Sequence, residues 1–309
     1  MKYFDLHCDT LYEMKRRGED FFNGGALAVS FENAARFDKY ARIMAIWTKS
    51  GISDDEAYLL YRDTVAYMKE HIDSRVMQCR THGDIIAAQK AGKIPFFLAV
   101  EGATLLGGDI GRLDTIYADG VRFLTLTWKD DGCIGGSWNT EGGLSPFGRE
   151  VVSKCAELGI AVDLSHASHK MMADVFDMAK TLPLRIIATH SNSDTLCPHG
   201  RNLTDAETKN IAALGGIVGI SFTPGHLNPS GTADISDIVA HAKHYLSLGL
   251  ENSLCIGADF DGIVNLPRGI VNEKNILDVE KALEKAGIPA ETREKIFWQN
   301  AENFIKNNM

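Results

Sequence analysis

The sequence predicts a single-domain (β/α)8 barrel, a TIM barrel, that spans residues 1–309. Short apolar segments recur along the chain, and segments with helical periodicity alternate with them. Some apolar segments, such as residues 94–100, are continuous instead of alternating, which is typical of parallel strands covered on both faces. Barrels of this type often reach about 250 residues or more as one domain. Because no linker or change of composition interrupts the chain, we expect one domain.

Eight apolar segments predict strands, with helical sequence between them. The strands are expected at residues 3–9, 41–47, 94–100, 120–128, 160–164, 184–189, 216–222 and 254–258. The helices are expected from residue 10 onward and at residues 53–77, 83–91, 146–158, 169–179, 205–214, 235–248, 271–286 and 289–306. No Gly-x-Gly-x-x-Gly or Walker-type loop follows any strand, which argues against an open nucleotide-binding sheet.

Composition and charge limit the possible partners. The net charge is −9 and no stretch is rich in Lys or Arg, so we expect no nucleic-acid partner. No apolar run approaches the ~20 residues that cross a bilayer, so we expect no membrane partner. The six cysteines are scattered without a Cys-x-x-Cys pair, and Met1 leads into the first strand without a signal peptide. These two observations favour a cytoplasmic location.

Side chains able to bind a metal ion lie at the ends of several predicted strands. They are His7 and Asp9 on the first strand, Glu101 on the third, His166 on the fifth, His190 on the sixth and Asp259 on the eighth. Each alone has an ordinary explanation, such as a helix N-cap or a solvated loop residue. Because the carboxyl ends of barrel strands meet at one mouth, where the active sites of this fold are built, the set indicates a metal site.

The types of these side chains select the metal. Three imidazoles and two carboxylates without a thiolate suit Zn²⁺, with Mn²⁺ or Co²⁺ as alternatives, better than calcium. Five ligands exceed the three that one catalytic zinc takes from a protein. Two ions about 3.5–4 Å apart, bridged by a carboxylate, would use all five. Glu101 is the expected bridge because it lies between the pairs His7/Asp9 and His166/His190 in strand order.

Six short motifs resemble those of a known family. They are Leu6-His7-Cys8-Asp9, Val100-Glu101-Gly102, Asp163-Leu164-Ser165-His166, Thr189-His190-Ser191, Arg201-Asn202-Leu203 and Gly257-Ala258-Asp259-Phe260-Asp261-Gly262. In this order, from residue 3 to beyond residue 262, they resemble the membrane (renal) dipeptidase family, which consists of binuclear zinc peptidases of the amidohydrolase superfamily. The resemblance implies a TIM barrel of the metal-dependent hydrolase type and a zinc-dependent dipeptidase, in which a hydroxide shared by two metals attacks the peptide bond of a free dipeptide.

The resemblance also implies a role for each residue. Two zinc ions per chain would share one carboxylate, with the ligands His7 and Asp9, His166 and His190, and the bridging Glu101. Arg201 would bind the terminal carboxylate of the substrate, since its planar fork matches that group. Asp259 would be the catalytic acid and base. Family members tend to be dimers, so the resemblance also allows a homodimer.

One position departs from the family's pattern. In the mammalian members a histidine follows the Thr-Leu-Thr of the fourth strand and helps to stabilise the tetrahedral intermediate, whereas Trp128 stands there in this chain. An indole has one N–H donor and no acceptor, so we expect Trp128 to contact the substrate as a single donor or as a wall. We hypothesise that His226, or the loop of Asp130 and Asp131, reshapes the pocket to compensate.

Two alternatives remain open. Another binuclear amidohydrolase would act on a cyclic amide, lactone or ester, with Lys129 as a candidate carbamylated bridge as in other branches of that superfamily. Glu101 makes such a bridge unnecessary, and Arg201 favours a substrate that bears a carboxylate. The second alternative is a non-catalytic binding protein that retains its metals, which Trp128 makes conceivable.

Overall fold

Eight parallel strands close into a barrel in the computed structural model, which describes residues 1–22, 25–129 and 131–309. The sheet has nine described strands, the eight of the barrel and β3: β1 Lys2–Cys8, β2 Lys39–Trp47, β3 Val76–Cys79, β4 Ile94–Glu101, β5 Val121–Thr125, β6 Ala161–Asp163, β7 Ile186–Ala188, β8 Ile217–Ile220 and β9 Leu254–Ile256. Their order in the sheet is β2-β1-β9-β8-β7-β6-β5-β4-β3. The additional pairing of β2 with β4, from Arg42↔Phe96 to Trp47↔Glu101, closes the barrel.

Strand β3 lies outside the closed barrel. It pairs with the first half of β4, from Val76↔Ile94 to Cys79↔Phe97, whereas the second half of β4 pairs with β5. The prediction of a helix that continues to residue 77 was therefore wrong at its end. The helix stops at His71, and Ile72 already has an extended backbone conformation, with φ −93° and ψ 113°.

Helices follow the strands around the outside of the barrel. They are α1 Thr10–Arg17, α2 Phe31–Ala34, α3 Asp54–His71, α4 His82–Lys90, α5 Gly111–Ala118, α6 Pro146–Leu158, α7 His169–Met178, α8 Asp205–Ala213, α9 Pro224–Leu227, α10 Ile235–Ser247, α11 Ile276–Lys285, α12 Ala290–Glu294 and α13 Asn300–Asn308. Two 3-10 turns, Ala103–Leu106 and Glu273–Asn275, and a π-helical turn, Lys295–Gln299, complete the described elements. None of the described helices combines the length and apolar character that crossing a bilayer requires.

The ends of several helices follow directly from local sequence. Helix α6 begins at Pro146, where Ser145 accepts from the backbone N–H of Gly148, and it ends at Leu158, just before Gly159, whose φ is 73°. A proline at the first helical position and a glycine with positive φ after the last one are strong boundary signals. The observed helix therefore has the predicted range, residues 146–158. Helix α3 begins with the capping box formed by Ser53 and Glu56.

The core has two parts, one inside the barrel and one between the barrel and its helices. The inner part includes Phe4, Leu6, Phe97 and Phe123, which project from β1, β4 and β5. Trp298, from the π-helical turn, packs on Phe4 with ring centroids 5.8 Å apart. Because Phe4 lies near the start of β1, this tryptophan closes the end of the barrel opposite the carboxyl ends of the strands.

Candidate metal centre

The structure brings the six predicted polar side chains together at the carboxyl end of the barrel. Glu101 is the last residue of β4, and His7 lies one residue before the end of β1. His166, His190 and Asp259 follow the ends of β6, β7 and β9 by two or three residues. Together with Asp163 they form three groups whose ligand atoms all lie within 4.8 Å of one another: His7, Asp9 and Asp259; Glu101, His166 and His190; and His7, Asp163 and His190.

The carboxylate of Glu101 faces two sets of ligands at once. Its Oε1 atom lies 2.9 Å from Nε2 of His166 and 3.4 Å from Nε2 of His190. Its Oε2 atom lies 3.5 Å from Nε2 of His7, which is 3.6 Å from Oδ2 of Asp9. Each oxygen of one carboxylate therefore points to a separate pair of side chains.

These distances match those expected between ligands of one ion. Two ligand atoms about 2.0–2.2 Å from a zinc ion, at about 90–110° to each other, lie about 2.8–3.6 Å apart. The contacts of Glu101 with His7, His166 and His190 fall within this range. Oδ1 of Asp259 lies 3.9 Å from Nε2 of His7, which is longer. Asp259 nonetheless lies in one group with His7 and Asp9, whose ligand atoms are all within 4.8 Å of one another.

Hydrogen bonds fix the orientation of two imidazoles. The hydroxyl of Thr189 donates to Oδ2 of Asp163 at 2.6 Å, so it accepts from Nδ1 of His190 at 2.8 Å. Nδ1 of His166 donates to the carbonyl of Trp128 at 3.0 Å. Burial lowers the pKa of His166 to about 4 and that of His190 well below its usual range, so both Nε2 atoms are unprotonated, yet they lie 3.0 Å apart. Two nitrogen lone pairs at this distance repel each other unless a cation lies between them, so the arrangement fits a metal ion.

The electrostatics of the cluster also fit a cation. Burial raises the pKa of Asp9 to about 6, and the neighbouring charge of Glu101 adds to this effect. Burial lowers the pKa of His7, but the charges of Glu101 and Asp9 outweigh it and hold this pKa well above its usual range. Nε2 of His7 and Oδ1 of Asp9 are buried without a hydrogen-bond partner among the described residues. A bound cation would satisfy both atoms.

The backbone around the cluster is strained. Three non-glycine residues in the described part of the chain have positive φ, namely His166 at 69°, Asp259 at 62° and Asp261 at 66°. Such conformations cost about 1–3 kcal/mol each and persist only where the surroundings hold them. Asp261 is held because its carboxylate accepts from Thr10 at 2.6 Å and from the backbone N–H of Ala28 at 2.7 Å. It ties the loop after β9 to helix α1.

Arg201 is buried beside His190. Its Nη1 atom donates to Ser191 at 2.9 Å and its Nη2 atom to the carbonyl of His190 at 2.8 Å. Its Nε atom is buried without a partner among the described residues. This donor and the remaining Nη hydrogens are available to a ligand.

Trp128 stands at the edge of a cavity of about 200 Å³ that is also lined by Asp9, Glu101, His166 and Asp259. Its ring centroid lies 4.9 Å from that of Trp47 and 6.2 Å from that of His166. The indole therefore forms part of a wall next to the candidate ligands.

The other side chains considered for this site lie at different positions. The ring of His226 lies 4.7 Å from that of His199, and burial together with Arg201 lowers its pKa to about 2. Lys129 is exposed. Asp131 is also exposed and accepts a hydrogen bond from Thr140, while Asp130 lies outside the described residues.

The sequence interpretation missed two supporting residues, Asp163 and Gly262. A Cβ atom on Gly262 would lie 2.2 Å from Oδ2 of Asp9 and 2.4 Å from Oδ1 of Asp259. Glycine at this position lets the backbone approach both carboxylates. Asp163 and Gly262 both lie within the six motifs that resemble the family, so these motifs are the sequence signal that could have identified them.

The fold and this cluster define a class of protein: a (β/α)8 barrel that collects imidazoles and carboxylates at its mouth, as metal-dependent hydrolases do. The chain belongs to the membrane dipeptidase family (peptidase family M19), whose family model matches residues 1–307. Membership confirms the resemblance and implies a metal cofactor. A relative from Schizosaccharomyces pombe, an uncharacterized dipeptidase, is 31% identical over 266 residues, which cover 80% of this chain and 62% of that protein.

Two solved structures share the fold over the full chain. Dipeptidase AC, a metallopeptidase of family M19, is 24% identical with a TM-score of 0.90, covering 100% of this chain and 98% of its own. A metallopeptidase from Rhodobacter sphaeroides, liganded with a phosphinate mimic of the dipeptide L-Ala-D-Ala, is 23% identical with a TM-score of 0.89, covering 100% and 99%. These likenesses confirm the predicted barrel.

Proposed function

We propose that this chain is a zinc-dependent dipeptidase that uses two metal ions to hydrolyse the peptide bond of free dipeptides. His7 and Asp9 would hold one ion and His166 and His190 the other. Glu101 would bind both. The proposal rests on membership of a metallo-dipeptidase family and on one geometric observation.

That observation is the position of Glu101. One of its oxygens lies 3.5 Å from Nε2 of His7, while the other lies 2.9 Å from Nε2 of His166. A single mononuclear site would not need a carboxylate aimed at two separate ligand pairs. Imidazole and carboxylate ligands suit zinc, with manganese or cobalt as possible replacements.

The protein's own groups would divide the remaining work. When bound, the ions polarise the substrate carbonyl and lower the pKa of a water molecule. Asp259 borders the cavity, accepts a 3.3 Å hydrogen bond from Thr223 at Oδ2, and has its Oδ1 3.9 Å from Nε2 of His7. We assign to it the removal of a proton from the attacking water and its delivery to the departing amine.

Arg201 would select free dipeptides. Its unpartnered Nε atom, together with a remaining Nη hydrogen, offers a planar pair of donors that matches a carboxylate. The cavity beside the cluster has a volume of about 200 Å³, which limits the size of the substrate group that it can hold. The Rhodobacter sphaeroides relative binds a dipeptide mimic, which supports the same substrate class.

Metal content and hydrolysis of dipeptides test the proposal together. The purified protein, dialysed against zinc, should contain about two zinc ions per chain by elemental analysis. It should also release free amino acids from a panel of dipeptides that includes D-residues at the carboxyl end. A metal-free protein that is folded and active would refute the metal site. A zinc-loaded protein that hydrolyses lactones or cyclic amides but no dipeptide would favour the other amidohydrolase activity, and no turnover at all would favour a binding protein.

Three organisational features remain proposals. We propose a cytoplasmic location because the cysteines are scattered, and all six are unpaired in the structure. We also keep the single-domain organisation of residues 1–309 and a possible homodimer.

A further inference from the structure

Three aromatic side chains form a continuous surface beside the candidate metal centre. The rings of Tyr12 and Trp47 meet edge to face with centroids 4.9 Å apart, and those of Trp47 and Trp128 meet in the same way at 4.9 Å. All three line the cavity that also contains Asp9 and Asp259. We call Tyr12, Trp47 and Trp128 the aromatic wall.

We propose that the aromatic wall is the subsite for the side chain of the substrate's first residue, so that the enzyme prefers dipeptides with a large apolar first residue. This inference rests on the proposed dipeptidase function and names the substrates of the same site. It assigns Trp47 and Tyr12 to substrate binding together with Trp128.

The position of the wall decides which residue of the dipeptide it would contact. The guanidinium of Arg201 is fixed against Ser191 and the carbonyl of His190. None of these three residues lines the cavity, which instead borders Asp9 and Asp259. With the terminal carboxylate at Arg201 and the scissile bond at Glu101, the first residue extends toward the cavity.

The charges around the cavity argue against a cationic side chain there. Glu13 also lines the cavity, but its two oxygens accept from Arg16 and Arg17 at 2.6–2.7 Å. Asp261 is occupied by Thr10 and the backbone of Ala28. Asp9, Glu101 and Asp259 face the candidate metal centre.

The lining that is not already occupied by ion pairs, hydrogen bonds or metal binding is therefore aromatic. Burying an apolar side chain against these rings is favourable, because it removes both the side chain and the ring faces from water. A leucine or phenylalanine side chain would exclude water from this surface, whereas alanine would leave most of it wet.

The test compares matched dipeptides on the zinc-loaded enzyme. Leu-Gly, Phe-Gly, Ala-Gly and Lys-Gly vary the first residue, while Gly-Leu and Gly-Ala vary the second. A hydrophobic subsite discriminates by about 10–200-fold for small changes of side chain, so kcat/KM for Leu-Gly should exceed that for Ala-Gly by about 10–100-fold. For the second residue, kcat/KM for Gly-Leu should differ from kcat/KM for Gly-Ala by no more than about threefold.

Variants locate the preference on the wall. In Trp47→Ala the ratio of kcat/KM for Leu-Gly to kcat/KM for Ala-Gly should fall at least fivefold. Trp47→Phe should restore most of this ratio. Trp138→Ala is the matched control, because the ring of Trp138 packs on His199 at 5.2 Å and does not line this cavity. In Trp138→Ala the ratio of kcat/KM for Leu-Gly to kcat/KM for Ala-Gly should equal that of the wild type.

The outcomes separate the two proposals. Hydrolysis of all six dipeptides without a preference for a large apolar first residue, or with Lys-Gly preferred, would overturn the aromatic subsite and leave the dipeptidase function intact. A preference that persists in folded Trp47→Ala would overturn it as well. If no dipeptide were hydrolysed, both proposals would fall. The wild-type panel decides the question even if Trp47→Ala does not fold.

Discussion

The hydroxyl of Thr189 links a buried carboxylate to a candidate metal ligand. It donates to Asp163 at 2.6 Å and accepts from Nδ1 of His190 at 2.8 Å. Because the single O–H of Thr189 is donated to Asp163, its oxygen can only accept a hydrogen bond from His190. His190 therefore carries a proton on Nδ1. Partners of this kind orient metal-binding histidines and raise their basicity.

Thr189→Val removes this acceptor while keeping the shape of the side chain. Because loss of such a partner typically costs 10–100-fold in metal affinity, we expect the zinc Kd to rise by about that factor. Competition with a chromogenic chelator measures it. Thr64→Val is the matched control, since Thr64 is also buried but bonds only within helix α3. An unchanged Kd in Thr189→Val would show that Asp163 does not act through this hydroxyl.

His7 and Cys8 offer a second test at neighbouring positions. Nε2 of His7 faces Glu101, whereas the thiol of Cys8 contacts the carbonyl of Ile43 at 3.7 Å. His7→Ala should therefore lower the zinc content from about two to about one per chain, and Cys8→Ser should retain both ions. Elemental analysis of the dialysed proteins gives the counts. Equal zinc content in the two variants would contradict the assignment of His7.

At the scale of elements, the loop after β9 supports the site through close packing. Gly262 approaches the carboxylates of Asp9 and Asp259 so closely that a Cβ atom would lie 2.2 and 2.4 Å from them. Either the loop or the two carboxylates must move if any side chain is added. This contact connects the sequence after Asp259 to the end of β1.

Gly262→Ala should therefore disturb metal binding. Overpacking typically costs about 1–3 kcal/mol, and here the displaced groups include a candidate ligand, so we expect zinc affinity and kcat/KM to fall at least tenfold. Gly83→Ala, in helix α4, is the control because its nearest atom would lie at 3.6 Å. If Gly262→Ala kept its zinc affinity, the loop would be more adaptable than this packing indicates.

The sequence predicted the barrel strands well but not β3. Continuous apolar runs such as β4 are recognisable as buried strands from the sequence alone, and N-cap residues such as Ser145 mark where helices begin. Val76–Cys79 is four residues long and pairs on one side only, with the first half of β4. Nothing local distinguishes it from the end of helix α3, because its pairing partner lies elsewhere in the chain.

The residues of the candidate site were predicted, but their supporting contacts were not. His7, Glu101 and His190 were identified since barrel strands end at one mouth. At this mouth the side chains do not alternate regularly between the two faces of the sheet, because the register of β1 with β2 shifts between Asp5 and Cys8. Hydrogen bonds such as that of Thr189 with Asp163, and contacts such as that of Gly262, depend on the three-dimensional position of loops that periodicity does not report.

At the scale of the whole molecule, a buried hydrogen bond between two side chains joins the C-terminal segment to the barrel. Arg42 on β2 donates to Glu273 at 2.8 Å, and both side chains are fully buried. Glu273 also accepts from the hydroxyl of Tyr40 and from the backbone N–H of Ser30. Burial raises the pKa of Glu273 to about 7, although Arg42 opposes this shift.

This raised pKa predicts the sign of a pH effect on stability. In the folded protein Glu273 keeps a proton up to about pH 7, whereas in the unfolded chain it releases the proton near pH 4.3. Its contribution to stability is thus fully present below about pH 4 and is lost as the pH rises through 7. Relative to Glu273→Gln, the wild type should lose about 2–3 kcal/mol of unfolding free energy between pH 5 and 8.

Urea unfolding of both proteins at each pH measures the difference. Glu294→Gln is the control, because Glu294 is partly exposed and pairs with Lys2 at 2.6 Å, which lowers its pKa. An exposed pair of this kind contributes at most about 1 kcal/mol, so its difference should hardly change over this range. A constant difference for Glu273→Gln would mean that Arg42 keeps Glu273 ionised throughout.

The contact between Trp47 and Trp128 also provides an optical signal. Two indoles held edge to face with centroids 4.9 Å apart are close enough for their strong electronic transitions to couple, and we expect a coupled band in the far-ultraviolet circular dichroism spectrum. Because Trp128 also lies beside His166, filling the centre should change this band. Trp298 is sealed at the opposite end of the barrel and provides a constant background. The protein thus carries its own spectroscopic reporter of occupancy, which can be read without turnover.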